Sequence, residues 1–173
     1  MAQRDVLKRG TNIIWKGGGT WFKILSGALC LFDKEWKART WRGWHMGFVV
    51  KTYASGEIVT SQAIEGGIHT VTYSSVEDMG DCRFYNWLDD TSKVQKYAEA
   101  HEGDPYDKWA YVWTILAFGI EKIFHWAFRI VNKAYHCWEN MAGMDRYCGK
   151  ELQPNEEFPM VNKIMKVLES KDE

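Results

Sequence analysis

The sequence predicts an α+β fold within a single domain, residues 1–173. Two observations favour this class: strand-like apolar runs occupy the first half of the chain, and helical spacing of apolar residues dominates the second half, without regular alternation. The size agrees, because a chain of 173 residues with 46% apolar and 26% charged side chains can bury one sizeable core. We therefore expect a small, largely antiparallel sheet accompanied by helices.

The predicted strands are short runs of apolar, β-branched and aromatic residues bounded by glycine-rich turns. Residues 44–51 are apolar at both odd and even positions, which is typical of a central strand covered on both faces. The turn 55–57 leads into a returning strand that Gly66 and Gly67 end, so these two strands should form a hairpin. The five predicted strands are 11–15, 44–51, 58–65, 68–73 and 82–87.

The predicted helices carry apolar residues at steps of three and four, the spacing of one helical face. Thr91 or Ser92 is expected to cap the second helix, and the turn at 103–105 to stop it. The charged segment 34–42 is interpreted as a loop, and Gly149 is placed near the exit of the fourth helix. The five predicted helices are about 20–31, 91–101, 107–130, 134–144 and 155–170.

Charge and cysteine content exclude several classes of function. The 22 basic residues nearly cancel the 23 acidic ones, so nucleic acid is not the expected partner. Four scattered cysteines, none in a Cys-x-x-Cys pair, argue against a disulfide scaffold and against a zinc or redox site. No apolar export signal is readable at the N-terminus, which predicts a cytoplasmic protein. The most apolar segment, 109–120, has only twelve uncharged residues, so no transmembrane segment is expected.

Cys137 is the candidate nucleophile, since a thiolate at a helix start is stabilised by the positive end of the helix dipole. His45 is the candidate base, because it alone among the 5 histidines lies in a predicted strand that is rigid. Glu65, expected on the paired strand, is the candidate for orienting the imidazole, and Gln62 is a weaker candidate for that role. Each also has an ordinary structural interpretation, as a buried thiol, a core histidine or a solvated charge.

Taken in order, these residues and their surroundings resemble a known family. The histidine strand 44–50 precedes an Ala-Ile-Glu-Gly-Gly segment at 63–67, a Gly-Asp-Pro-Tyr-Asp turn at 103–107 and a Tyr-His-Cys-Trp-Glu motif at 135–139. The pattern is similar to the circularly permuted branch of the papain-like, NlpC-type cysteine amidases and peptidases, often called YiiX-like, with lecithin–retinol acyltransferase as a more distant relative. In that branch the histidine precedes the cysteine, as it does here by 92 positions. Thr11 departs from the pattern, since an aspartate is usual there.

The resemblance implies a permuted papain-like fold, in which a small antiparallel sheet or half-barrel packs against a helical bundle. It also implies acyl transfer: His45 takes the proton of Cys137, the thiolate attacks an amide or ester carbonyl, and water or another acceptor releases the acyl-enzyme. Glu65 would hold the productive tautomer of the imidazole. The backbone N–H of Cys137 would stabilise the oxyanion, with Tyr135 and Gln62 as further oxyanion or substrate contacts. No metal or organic cofactor is needed.

Three functional interpretations stay open. The first is a cysteine hydrolase, a thiol protease or amidase, acting on a peptide or a cell-wall-type peptide. The second is a thioesterase or acyltransferase acting on an acyl lipid, and the third is a catalytically inert interaction domain. The aromatic segment 109–128 is either a core helix or an apolar wall that contacts an acyl chain. A phage or viral origin would fit a small hydrolase without its own export signal.

Overall fold

The α+β class predicted from the sequence is confirmed by a computed structural model, which describes residues 7–106, 137–150 and 161–170. The strands are β1 (Asn12–Lys16), β2 (Gly43–Thr52), β3 (Ile58–Ile64), β4 (Gly67–Tyr73) and β5 (Cys82–Tyr85). The helices in these ranges are α1 (Gly19–Phe32), α2 (Lys34–Ala38), α3 (Val94–His101), α4 (Cys137–Tyr147) and α5 (Val161–Glu169).

The strands form one antiparallel sheet in the order β4-β3-β2-β1-β5, so β2 is its central strand. Met46 and Phe48 lie on one face of β2 and are buried, and Gly47 and Val49 on the other face are buried as well. Coverage of both faces explains why this run lacks the alternation of a half-exposed strand. The central strand that the continuous apolar run predicted is confirmed.

The segment 34–42, interpreted from the sequence as a loop, contains the short helix α2, and that prediction is wrong. Asp33 caps the helix by accepting a hydrogen bond from Trp36 N at 2.9 Å. The Trp36 side chain is fully buried, and its indole N–H donates to Ser26 Oγ at 3.1 Å. A cap and a buried anchor therefore contribute to ordering five residues whose charge pattern is typical of a loop.

The start of α3 also differs from the prediction. The helix begins at Val94, and Lys93 at its N-cap makes no side-chain cap bond. The Ser92 N–H bonds instead to Asp90 Oδ1 at 2.9 Å, and the Val94 N–H bonds to the main-chain oxygen of Thr91. Thr91 and Ser92, the predicted cap residues, therefore belong to a local turn that precedes the helix.

Helix α4 covers much of the predicted helix 134–144 and extends it to Tyr147. Gly149 follows with a φ of +87°, and its N–H bonds to the main-chain oxygen of Arg146 at 3.0 Å. The predicted helix exit near Gly149 is therefore confirmed, since this left-handed conformation favours glycine at a helix end.

Some predictions fall outside the described residues. They concern 134–136, the first part of the helix 155–170, and the helix 107–130 with its aromatic segment 109–128. Within the described residues, no helix combines the length and the apolar character that crossing a bilayer would need.

Helices α4 and α5 pack on one face of the sheet and close the largest cluster of buried side chains. It includes Ile14, Met46, Cys137, Met141, Ile164 and Met165. A smaller cluster lies on the opposite face and includes Ile13, Val49, Ile58 and Met79. The successive residues Ile13 and Ile14 belong to different clusters, as the pleat of β1 requires.

Two polar contacts fix α4 on the sheet. Asn12 of β1 donates its amide N–H to Asp145 Oδ2 at 2.9 Å, and Asn140 donates to Ser61 Oγ of β3 at 3.5 Å. Asn12 and Ser61 lie in one row across the sheet, on either side of Phe48. All four polar side chains are buried. The helix is therefore held at two points that are two strand spacings, about 10 Å, apart.

Candidate active site

His45 is the third residue of β2, and its ring lies among polar and aromatic side chains. The ring Nε2 is 2.7 Å from Gln62 Oε1 on β3. Trp15, the direct partner of His45 on β1, places its ring 5.1 Å from the imidazole between centroids. Tyr73 of β4 packs on Trp15 with ring centroids 6.5 Å apart. These side chains therefore share one face of the sheet and fix the position of the imidazole.

The surroundings of His45 favour the neutral ring. Burial lowers the pKa of His45, and the hydrogen bond with Gln62 offsets only part of that effect. A neutral imidazole keeps one nitrogen lone pair at pH 7, as a general base requires. The arrangement can therefore accept a proton from a group that reaches the free ring nitrogen.

Gln62 is itself held in place by its neighbours. Its Nε2 donates to Thr60 Oγ1 at 2.8 Å and to the Tyr73 hydroxyl at 3.0 Å. The space that it occupies exists because Gly47, the residue directly opposite on β2, has no side chain: a Cβ there would lie 2.9 Å from Gln62 Cγ. Glycine two positions after His45 therefore lets the glutamine side chain reach the imidazole.

Cys137 begins the described part of α4 and is fully buried on the helix side of the sheet. Its thiol donates to the main-chain oxygen of Trp44 at 3.7 Å. Trp44 is the extra residue of a β-bulge, because the pairing of β1 with β2 passes from His45 to Gly43 without it. The fold therefore brings Cys137 to the peptide group that directly precedes His45.

Within the described residues, the sulfur of Cys137 and the imidazole of His45 do not share a hydrogen bond. His45 lies on the face of Gln62, whereas Cys137 packs with Met46 on the opposite face. The two groups flank the central strand at the peptide that joins Trp44 to His45. A direct contact would need the sulfur to leave the Trp44 oxygen and move toward the ring.

Glu65, predicted to orient the imidazole, lies in the two-residue turn between β3 and β4 and is exposed. The His45 ring instead shares its hydrogen bond with the amide oxygen of Gln62, which accepts it and which was predicted as the weaker candidate for this role. Gln62 reaches the ring because it lies opposite Gly47, on the same face of the sheet as His45. Tyr135 lies outside the described residues.

Sequence reasoning did not identify Trp15, Thr60 or Tyr73 as neighbours of the candidate base. A signal for Thr60 existed, because Thr60 and Gln62 are polar residues two positions apart in the predicted strand 58–65. Side chains two apart share a face of a strand, so a polar pair there indicates a buried hydrogen bond. No comparable pattern marked Trp15 or Tyr73.

Two other cysteines have the properties of structural thiols. Burial, with a smaller contribution from Asp81, raises the pKa of the Cys82 thiol to about 11. Burial likewise raises the pKa of Cys148, and none of the four cysteines forms a disulfide. In the ranges that the structure covers, no three His, Cys, Asp or Glu side chains are grouped as metal ligands would be. The position of Cys137 beside the histidine strand therefore distinguishes it from Cys82 and Cys148.

Comparison of the chain with protein-family models, with curated proteins and with solved structures finds no match. A functional assignment therefore depends on the residues and contacts of this chain alone.

Proposed function

We propose that this chain is a cysteine hydrolase that cleaves an amide bond in a peptide or a cell-wall-type peptide. The observation that carries the proposal is the approach of Cys137 to the Trp44 oxygen, beside His45 and 92 positions from it in sequence. Covalent acyl transfer requires a thiol, a neutral base and a polar group that holds the base in place. The order of histidine and cysteine along the chain supports a permuted papain-like fold.

The proposed reaction begins when Nδ1 of His45 accepts the thiol proton of Cys137 and the sulfur attacks the carbonyl carbon of the amide. The tetrahedral intermediate collapses, the C–N bond breaks, and the imidazolium gives its proton to the departing amine. Water then attacks the thioester while His45 takes a proton from it. The carboxylic acid leaves, and the proton returns to the sulfur.

Gln62 takes the orienting role that the sequence assigned to Glu65. Its oxygen lies 2.7 Å from Nε2 of His45, whereas Glu65 is exposed in a turn. An acceptor at Nε2 leaves Nδ1 as the nitrogen available to the thiol. An amide accepts this hydrogen bond without placing a buried charge beside the neutral ring.

The reaction requires the sulfur of Cys137 to leave the Trp44 oxygen and meet the imidazole. A thiol contact of 3.7 Å with a carbonyl is a weak hydrogen bond, and breaking it costs no more than about 1 kcal/mol. The larger obstacle is that the sulfur and the imidazole lie on opposite faces of β2. Hydrogen bonds between catalytic groups are often long without substrate and tighten in the complex. We therefore assign the final approach to substrate binding.

A second function, an inert interaction domain of the same fold, is favoured by one observation. Cys137 is fully buried and packs among apolar side chains on the face opposite His45. A buried cysteine of this kind behaves as a small apolar residue. In that case the bond between His45 and Gln62 would only stabilise the sheet.

Covalent capture by an iodoacetamide probe at neutral pH, located by peptide mass mapping, separates the two functions. The hydrolase predicts that the probe reacts fastest at Cys137. This fast capture should be lost in Cys137→Ala and retained in Cys148→Ala, which removes a different buried thiol just after α4. It also predicts that His45→Gln lowers the rate at Cys137 by about 100-fold or more. Equal capture rates in the parent and in His45→Gln would support the inert domain and contradict the hydrolase.

A substrate panel then defines the bond that is cleaved. Release of an amine from peptide amides, lost in Cys137→Ala, would support the proposed amidase. Release of fatty acid from acyl esters without amide cleavage would instead assign the same site to a thioesterase or acyltransferase.

A further inference from the structure

We propose that the Thr60 hydroxyl determines which nitrogen of His45 carries the proton, acting through Gln62, and that Thr60 is a positioning residue for the imidazole. Its functional meaning rests on the hydrolase proposed above. The contacts run across three strands, from the main-chain oxygen of Val71 through Thr60 Oγ1 and the Gln62 amide to Nε2 of His45. Thr60 and Gln62 are both buried, so water does not substitute for these partners.

The single hydroxyl proton of Thr60 is already used. Oγ1 donates it to the main-chain oxygen of Val71 at 3.2 Å, so toward Gln62 this oxygen acts as an acceptor. A neighbouring amide must therefore present its NH₂ group, and Gln62 Nε2 does so at 2.8 Å. This turns the carbonyl Oε1 of Gln62 toward His45. Because an amide oxygen cannot donate, Nε2 of the ring carries the hydrogen and Nδ1 keeps the lone pair.

The reverse orientation of the Gln62 amide is disfavoured by Thr60. In that orientation the amide oxygen would face Thr60 Oγ1, and the hydroxyl would have to give up its bond to Val71. The Tyr73 hydroxyl, 3.0 Å from Gln62 Nε2, does not discriminate, because it can accept in one orientation and donate in the other. Thr60 therefore selects the orientation, and Tyr73 supports either one.

The selected tautomer decides which nitrogen can act as the base. With the hydrogen on Nε2, the lone pair lies on Nδ1, the nitrogen that Gln62 does not engage. In the opposite tautomer Nδ1 would carry a hydrogen and could not accept the thiol proton. In enzymes that use a histidine base, the wrong tautomer lowers the rate by up to about 10⁴-fold.

Side-chain ¹H–¹⁵N correlation NMR at neutral pH reads the tautomer directly, with the His45 signals assigned by their absence in His45→Gln. We expect the Nε2–H form to dominate in the parent protein. Thr60→Val, which keeps the shape of the side chain but removes the hydroxyl, should shift His45 toward the Nδ1–H form. Thr60→Ser should restore the parent spectrum, and Tyr73→Phe, the matched control, should leave it unchanged. A parent in the Nδ1–H form, or a Thr60→Val spectrum identical to the parent, would overturn the proposal.

A second readout separates this proposal from the hydrolase. In Thr60→Val, the rate of probe capture at Cys137 should fall by about tenfold or more. If the tautomer shifts but capture does not depend on His45, the hydrolase fails while control of the tautomer by Thr60 stands. If capture depends on His45 but the tautomer does not respond to Thr60→Val, the role of Thr60 fails and the hydrolase stands.

Discussion

Replacing Asp145 by asparagine should raise the stability of the protein at neutral pH, because α4 buries this carboxyl group. Asp145 is fully buried and accepts a hydrogen bond from Asn12 Nδ2 at 2.9 Å. Its other oxygen, Oδ1, has no hydrogen-bond partner among the described residues. Burial therefore raises the pKa of Asp145 well above its ordinary value, and the bond from Asn12 offsets only part of that effect.

The sign of the effect follows from proton binding. Between the ordinary pKa of 3.8 and the raised pKa of Asp145, the unfolded chain has released this proton and the folded chain retains it. Folding therefore becomes less favourable as the pH rises through that window, by about 1.4 kcal/mol for each pH unit. Below the ordinary pKa both states bind the proton, and the effect disappears. Asparagine has no such proton and can still accept the bond from Asn12.

Urea unfolding followed by tryptophan fluorescence from about pH 4 to pH 7 measures this difference. The free energy of unfolding of Asp145→Asn minus that of the parent should increase with pH, by up to about 1.4 kcal/mol per unit. Asp89→Asn is a control whose difference should change little above about pH 5, because the ion pair of exposed Asp89 with Lys150 at 2.7 Å lowers the pKa of that carboxyl and both states have then lost its proton. A difference for Asp145→Asn that stays constant over this range would refute the burial of Asp145 under α4.

Three further predictions concern single sites. Gly47→Ala should lower the free energy of unfolding by about 1–3 kcal/mol, because the added Cβ would lie 2.6 Å from the main-chain oxygen of Ser61. Unchanged stability in urea would contradict the close pairing of β2 with β3. Asp33→Ala should cost about 1 kcal/mol through the lost cap of α2, and no change in the same assay would mean that buried Trp36 alone holds that helix. Burial raises the pKa of Cys82 to about 11, so roughly one Cys82 thiol in a thousand is ionised at pH 8. Its reaction with iodoacetamide at that pH should be slower than that of a fully ionised thiol by roughly the same factor. Rapid modification would contradict the burial of Cys82.

Much of the sheet could be predicted because local pattern and tertiary environment agree there. The run 44–51 has few polar positions because β2 is covered on both faces, and turns bound the neighbouring strands. The end of β3 was placed one residue late, since Glu65 belongs to a two-residue turn with Gly66. The φ of +101° at Gly66 defines that turn, and a glycine pair in the sequence does not indicate which of the two begins the next strand.

The partner of His45 could not be found by counting residues from one strand to the next. The register of β2 with β3 shifts between Val49 and Lys51, and a shift of one residue changes which side chain faces the histidine. The sequence therefore predicted Glu65, a carboxylate near the expected end of the strand, as the partner, whereas the actual pairing brings Gln62 to the ring. Hydrophobic pattern predicts which strands pair, but bulges decide which polar side chains meet.

The bond between Asn12 and Asp145 was unpredictable for a different reason. The two residues are 133 positions apart, and their contact depends on how α4 crosses the sheet. A polar residue in an amphipathic helix is ordinarily assigned to its solvated face. Only tertiary packing shows that Asp145 faces β1, which is why its burial and its raised pKa come from the structure alone.

The bulge at Trp44 lies between the two faces of the sheet that the proposed reaction would use. The polar contacts of Thr60 and Gln62 end at His45 on one face, and α4 brings Cys137 to the Trp44 oxygen from the other. The bulge interrupts the regular pairing of β1 with β2 at Trp44, and the main-chain oxygen of this residue accepts a hydrogen bond from the Cys137 thiol at 3.7 Å. The sulfur therefore finds an acceptor at the residue adjacent to the candidate base. The two groups flank this peptide without sharing a hydrogen bond. The dependence of Cys137 reactivity on His45 therefore measures whether the two faces act as one site, because a substitution on one face is read out by a thiol on the other.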